Sequence, residues 1–342
     1  MRNDFMVDLL RVCSKMKINK EEENIIAQCV TKFDWDMANI LEMHKIHMIF
    51  LKHVNNIACS DNLAFKIIEN FSNQLFYLQF KYEEYLTFLK NVVDHMQTID
   101  YAVLKGGSFI DVLYKENDII YRPFADIDIL ISKRNINLID GIMKENNLIQ
   151  GKVRQNKIIP AERKDVIYWK LNSHQLHEYI GFSKYSQLSN IYRIEFDFNT
   201  TIFEGGKEAD PIDMDWILKR RKKRKVKKDL EIYCLDHTLA LLQLCYHFYK
   251  DTIYEVKKLT HDNYCLLKFC DIREYIIKYR YDINWKEFID IVNQANIGNQ
   301  IYNTLWLIST FYGDLYIEDI IKQINVTERY YTDNIDWESM LL

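Results

Sequence analysis

Residues 101–131, YAVLKGGSFIDVLYKENDIIYRPFADIDILI, constrain this chain more than any other stretch. A short apolar run, Tyr101 to Leu104, leads into Lys105-Gly106-Gly107-Ser108. A helix-like segment follows, then Arg122-Pro123, and Asp126-Ile127-Asp128 opens a second apolar run. In physical terms this is a glycine turn between a strand and a helix, followed by two carboxylates on a strand. Side chains alternate across a strand, so Asp126 and Asp128 share one face, about 6–7 Å apart along the chain. Ile127, Ile129 and Ile131 take the other face, which is apolar enough to be core. Two carboxylates on one strand face are costly without a cation between them. A pair of divalent ions about 3.5–4 Å apart is one such arrangement, and it clamps the attacking and leaving oxygens of phosphoryl chemistry. Gly106 and Gly107 allow close backbone approach, and free N–H groups where Ser108 begins the next helix suit phosphate oxygens. Either half alone reads as a turn or a solvated strand. The two in this order, with Lys105 and Arg122 beside them, point to a phosphate site.

Composition narrows what surrounds this stretch. Three prolines and nine glycines in 342 residues argue against a many-turned all-β protein and for long helices. With a net charge of −4, the whole molecule is not an obvious nucleic-acid coat. The seven cysteines, at 13, 29, 59, 234, 245, 265 and 270, include no C-x-x-C pair and read as reduced thiols. His261, Cys265 and Cys270 lack a recognised zinc spacing. The first residues, MRNDFMVDLL, lack a signal peptide's order, and no apolar run reaches the ~18 residues of a membrane span. The expected location is cytoplasmic, with no membrane partner.

Periodicity supplies the frame. Residues 1–95 place apolar side chains at three- and four-residue spacing in successive helices, with Asp34 or Asp36 and Asp61 as N-caps. His44, His47 and His53 read there as a packed helical face rather than a metal site. After DIDILI, residues 135–148 read as an amphipathic helix ending near Gly151, and 165–171 and 177–182 read as strands. Residues 192–200, YRIEFDFNT, alternate cleanly: Ile194, Phe196 and Phe198 on one face, Glu195, Asp197 and Asn199 on the other. The run 219–228, KRRKKRKVKK, is basic at nine of ten positions. It reads as a solvated, mobile connector, as a contact for nucleic acid or an acidic membrane surface, or as a steering patch for a triphosphate or polyanionic acceptor. From Asp236, an N-cap, the chain is helical again, and His247 lies in an apolar helical stripe where a lone histidine is usually a core residue.

The glycine-serine turn followed by apolar-Asp-apolar-Asp resembles the nucleotidyltransferases of the DNA polymerase beta superfamily. The longer form, LKGGSFIDVLY and YRPFADIDILI, is similar to the uncharacterised nucleotidyltransferase family within it, best over about residues 100–275. The resemblance implies Mg2+-dependent transfer of a nucleoside monophosphate from an NTP to an acceptor, with pyrophosphate leaving. Two Mg2+ ions are implied, with Mn2+ as a substitute, on Asp126, Asp128 and a third carboxylate from a neighbouring strand. That third position corresponds to Glu195, and Asp197 falls where the family commonly has His. Glu195 is favoured here, with Asp197 as its replacement; either would also serve as general base. The same resemblance assigns the phosphates to Lys105, Gly106, Gly107, Ser108 and Arg122, and lines the cleft with His247 and Asp271.

The expected fold is α+β, a small mixed β-sheet nucleotidyltransferase core embedded in a mostly helical protein. The expected regions are 1–97 helical, 98–215 catalytic α/β core and 216–342 helical. Two other classes compete with the transferase. One is a nucleotide-binding or interaction protein on the same fold without turnover; the other is an RNA-binding module centred on 219–228. The acceptor, whether small molecule, peptide, protein or RNA end, is left open by the sequence, as is the base of the NTP.

Overall fold

The computed structural model describes residues 2–55, 57, 61–110, 113–124, 126–155, 157–182, 193–203, 210–227, 229–259, 263–329 and 335–342. The chain divides into two compact units. The first comprises Met1–Leu78, Ile120–Pro123 and Leu244–Leu342; the second comprises Gln79–Ile119 and Phe124–Gln243. The long helix Asn62–His95 begins in the first and ends in the second. Among the described residues, no helix is long and apolar enough to cross a membrane.

The described elements of the first unit are helices, and their starts follow from local chemistry. Asn19 accepts from Glu21 and Glu22 backbone N–H groups while the Glu22 side chain bonds back to Asn19, a complete capping box. Asp34 caps Trp35–Met43, and Asp61 accepts from the Leu63 and Ala64 backbones. Aromatic side chains fill the interior: Phe33 lies on Phe50, and Phe269 contacts both Phe248 and Phe311, all buried. Each such ring contributes about 1.5–3 kcal/mol by leaving water. Of the histidines in this unit, His44 Nε2 bonds the Leu341 carbonyl and His53 Nε2 that of Lys15, as a packed face requires. The His261 alternative for zinc lies outside the described residues.

Among the described residues, the second unit is built on a mixed sheet of eight strands: β1 (Tyr101–Val103), β2 (Asp126–Ile131), β3 (Ile149–Arg154), β4 (Lys157–Pro160), β5 (Tyr179–Phe182), β6 (Arg193–Asn199), β7 (Lys222–Lys227) and β8 (Leu230–Cys234). Their spatial order is β4-β3-β5-β6-β2-β1-β8-β7. At the centre β2 runs parallel to β6 and antiparallel to β1. In β6 the alternation is realised in burial, with Ile194, Phe196 and Phe198 buried and Glu195 and Asp197 partly exposed. In the central strand β2 both faces are covered, so Asp128 and Leu130 are buried along with Ile127, Ile129 and Ile131. The fold is α+β, as the sequence implies.

Three local expectations change. Residues 165–171, expected as a strand, lie in the helix Arg163–Asn172. Their apolar residues are contiguous rather than alternating, so no single strand face could bury them, and the backbone instead closes local bonds such as Val166 N–H to the Glu162 carbonyl, 3.1 Å. The helix expected to end near Gly151 stops at Glu145. Asn147 adopts φ +58°, a left-handed conformation that asparagine tolerates, and β3 begins two residues later. The basic run is not a connector, because most of it forms β7, paired antiparallel with β8 at the sheet edge. Acids match several of its charges: Lys223 meets Glu231, Arg220 meets Asp236, Arg221 meets Asp100 and Lys227 meets Glu83. Lysines along an edge also discourage further strand pairing.

Candidate active site

The register between β2 and β6 assembles the site. Asp126 lies opposite Glu195, and Asp128 lies opposite Asp197. Adjacent strands are about 4.8 Å apart and alternate side chains share a face. The four carboxylates therefore form a two-by-two array on one side of the sheet, while the Ile and Phe residues between them enter the core on the other. Each strand alone has a reason to alternate; only their pairing brings four acids together.

A cation stands in this array. Lys105, two residues beyond β1, donates from Nζ to Asp128 Oδ1 at 2.8 Å. The same oxygen accepts from Asn199 Nδ2 at 3.2 Å. Asp128 is only 4% exposed, so these donors offset a large desolvation cost. Burial works against the Lys105 ammonium, but Asp128 and then Asp126 hold its pKa above the ordinary lysine range. Lys105 also has φ +45°, a left-handed backbone uncommon for a residue with a β-carbon. Such strain often marks functional positions.

Negative charge remains in excess. Burial, followed by the charges of Asp128 and Asp126, pushes the Asp197 carboxyl up to about 8, against the opposing pull of Lys105. Glu195 is also raised, first by burial and then by Asp126, while its ion pair with Arg193 opposes the shift. Lys81, on the Asn62–His95 helix, is lowered by burial and held back by Glu195 and Asp126. Sequence reading missed Lys81 and the contact of Asn199, because neither belongs to a short motif. The signal for Asn199 was its place on the acidic face of β6.

The glycine turn is a single helical turn, Lys105–Ser108. Its first N–H groups have no intrahelical partner by construction. Gly107 has a packing role: a Cβ there would lie 2.6 Å from the Tyr85 hydroxyl and 2.7 Å from a Val103 methyl. The Ser108 hydroxyl donates to the Lys105 carbonyl at 2.8 Å, closing the turn on itself.

Other sequence-derived candidates lie in the first unit. Arg122 and Asp271 are paired with each other, Nε to Oδ1 at 2.9 Å and Nη2 to Oδ2 at 2.6 Å, both buried. That fork geometry suits a carboxylate as well as a phosphate, and here it joins segment 120–123 to the helix Leu266–Tyr279. His247 Nε2 lies 3.7 Å from the Asp251 carboxylate one turn on, and Lys268 also pairs with Asp251. Among the described residues, no three His, Cys, Asp or Glu side chains are grouped so that they could hold a metal ion.

A family model described as uncharacterised nucleotidyltransferase matches residues 31–313. No curated protein and no solved structure matches the chain.

Proposed function

The chain belongs to the uncharacterised nucleotidyltransferase family, and from that premise we propose that it moves a nucleoside monophosphate from an NTP to the hydroxyl, or a similar nucleophile, of an acceptor, releasing pyrophosphate. The observation that carries this reading is the β2–β6 register, which sets Asp126 and Asp128 beside Glu195 and Asp197 on one sheet face.

The donor set fits a hard divalent ion: every candidate ligand is a carboxylate oxygen, and burial together with the neighbouring Asp128 and Asp126 raises Asp197 despite the Lys105 ammonium bonded to Asp128. Mg2+ typically takes one or two carboxylates plus substrate phosphates rather than a closed protein cage. Asp126 and Asp128 would hold it, and Mn2+ in its place. Should a third carboxylate join them, it would be Asp197, which feels the charges of Asp128 and Asp126, in preference to Glu195, whose carboxylate already meets Arg193, and its side chain would have to turn toward the ion. When bound, the ions would supply Lewis-acid stabilisation of leaving pyrophosphate and a more acidic acceptor hydroxyl.

The chain's own groups have distinct tasks. Lys105 would offer its positive charge to the β- and γ-phosphate oxygens, an electrostatic contribution. Gly106 and Gly107 would place the first-turn N–H groups at those phosphates, with Tyr85 and Val103 packed beneath Gly107, while Ser108, whose N–H bonds the Leu104 carbonyl and whose hydroxyl bonds the Lys105 carbonyl, would hold the turn in shape. Glu195, next to Asp126 in register, would accept the acceptor's proton. Arg122 would act at a distance, anchoring its segment through Asp271.

The test is transfer of α-labelled nucleotide to pools of small molecules, peptides and RNA 3′ ends. Labelled adduct and pyrophosphate should appear together and vanish in Asp126→Asn and Asp128→Asn. Asp197→Asn should cost more than Glu195→Gln; the reverse order would return the third ligand to Glu195. The ion pair between Lys105 and Asp128 favours a second reading, a nucleotide-binding protein without turnover. It predicts NTP binding with no pyrophosphate under any acceptor pool.

A further inference from the structure

Asn199 is a buried polar residue on the carboxylate face of β6, 4% exposed, and it lies in no motif. Its Nδ2 donates to Asp128 Oδ1 at 3.2 Å and to the backbone carbonyl of Asp197 at 3.3 Å. One amide group therefore touches the central carboxylate of β2 and the backbone of the acid beside it. Its own backbone is fixed on both sides. Asn199 is in register with Leu130 of β2, and across from that it bridges to Gln175, with Leu176 N–H bonded to the Phe198 carbonyl at 2.8 Å and Thr200 N–H to that of His174 at 2.8 Å. A side chain on a backbone held this way has little freedom to follow Asp128 if the carboxylate turns.

The two donors to Asp128, Lys105 and Asn199, converge on the same oxygen, Oδ1. Among the described residues Oδ2 receives no hydrogen bond. We infer that Asn199 is a positioning residue that holds Oδ1 so that Oδ2 is the oxygen Asp128 presents to a divalent ion. Lys105 sits on a long flexible stem, whereas Asn199 is short, uncharged and locked in the sheet, so its hold on Oδ1 persists whatever the local charge. Partners of this kind that orient a ligating carboxylate typically set metal affinity by about 10–100-fold. The inference rests on the nucleotidyltransferase reading and concerns how its central ligand is aimed.

The experiment is Mn2+ binding to the full chain, followed by electron paramagnetic resonance without nucleotide, for wild type, Asn199→Leu, Asp128→Asn and the double variant. Thermal unfolding reports that each is folded. Asn199→Leu should weaken Mn2+ binding by about 10–100-fold. In the Asp128→Asn background the same change should have less than about a twofold effect, since a residue acting through another is not additive with it. Should Asn199→Leu fail to fold, Asn199→Ala removes the amide without a branched replacement and carries the same expectation. Wild-type binding unchanged in the folded Asn199 variant, or losses that simply add, would overturn the positioning role and leave the transferase reading intact. No Mn2+ binding by folded wild type, either alone or with a non-hydrolysable NTP analogue present, would overturn both.

Discussion

Asp197 is the residue where the account meets solution chemistry most directly. Its carboxyl is raised to about 8 by burial and by Asp128 and Asp126, against roughly 3.9 for an unfolded aspartate. Between those values the folded chain keeps a proton that the unfolded chain has released. The contribution of Asp197 to stability therefore falls as pH rises from about 4 to 8. Without divalent ions, denaturant titrations should show wild type losing stability over pH 5–8 relative to Asp197→Asn, and Asp197→Asn the more stable at pH 8. Parallel stability curves would mean that the acids do not crowd one another. Asp126→Asn and Asp128→Asn should likewise leave the fold intact, because like charge is relieved even as a hydrogen-bonding pattern changes. Unfolding of both would make these acids structural. The residues of the array were legible in the sequence because strand alternation needs only neighbours two apart. Lys81 was not, since nothing local ties a lysine on a long helix to acids 45 or more residues later.

At the scale of elements, β1, its glycine turn and β2 form the piece most dependent on one small residue. A methyl group at Gly107 would collide with Tyr85 and Val103, and Val103 is a strand side chain with little room to yield. Gly107→Ala should cost about 1–3 kcal/mol by overpacking, read as a lower midpoint in urea. If stability is unchanged but NTP binding is lost, the glycine serves phosphate approach rather than packing. Elements with clean periodicity, such as β2, β6 and the Asn62–His95 helix, were recoverable from the chain alone. The helix Arg163–Asn172 was not. Its aromatic and β-branched content imitates a strand, and its large apolar residues, Tyr168 and Leu171 among them, remain exposed, so burial pattern gave no guide. The basic run misled for a different reason: charge composition says nothing about strand pairing, and the acids that match it lie as far away as Glu83 and Asp100.

For the whole molecule, the sequence order hides how the two units are threaded. Segment Ile120–Pro123 belongs to the first unit although the chain on either side of it belongs to the second. The bidentate Arg122–Asp271 pair, 149 residues apart in the chain, is its visible tie there. Removing one partner leaves a buried charge, so Arg122→Met or Asp271→Leu should lower stability by about 3–5 kcal/mol, with the double replacement recovering much of the loss. Single variants as stable as wild type would show that the pair is not what holds the segment. Such a pair cannot be read from sequence, because Arg122 beside an acidic strand suits a phosphate as well as a carboxylate. The central claim is that the β2–β6 array binds an NTP through a divalent ion, and it is tested most directly by titrating the four NTPs, with and without Mg2+, into wild type and Asp128→Asn. The account predicts binding of at least one NTP to wild type that requires Mg2+ and is lost in Asp128→Asn. Folded wild type that binds no NTP in Mg2+, or that binds equally well without the ion or without Asp128, would contradict it.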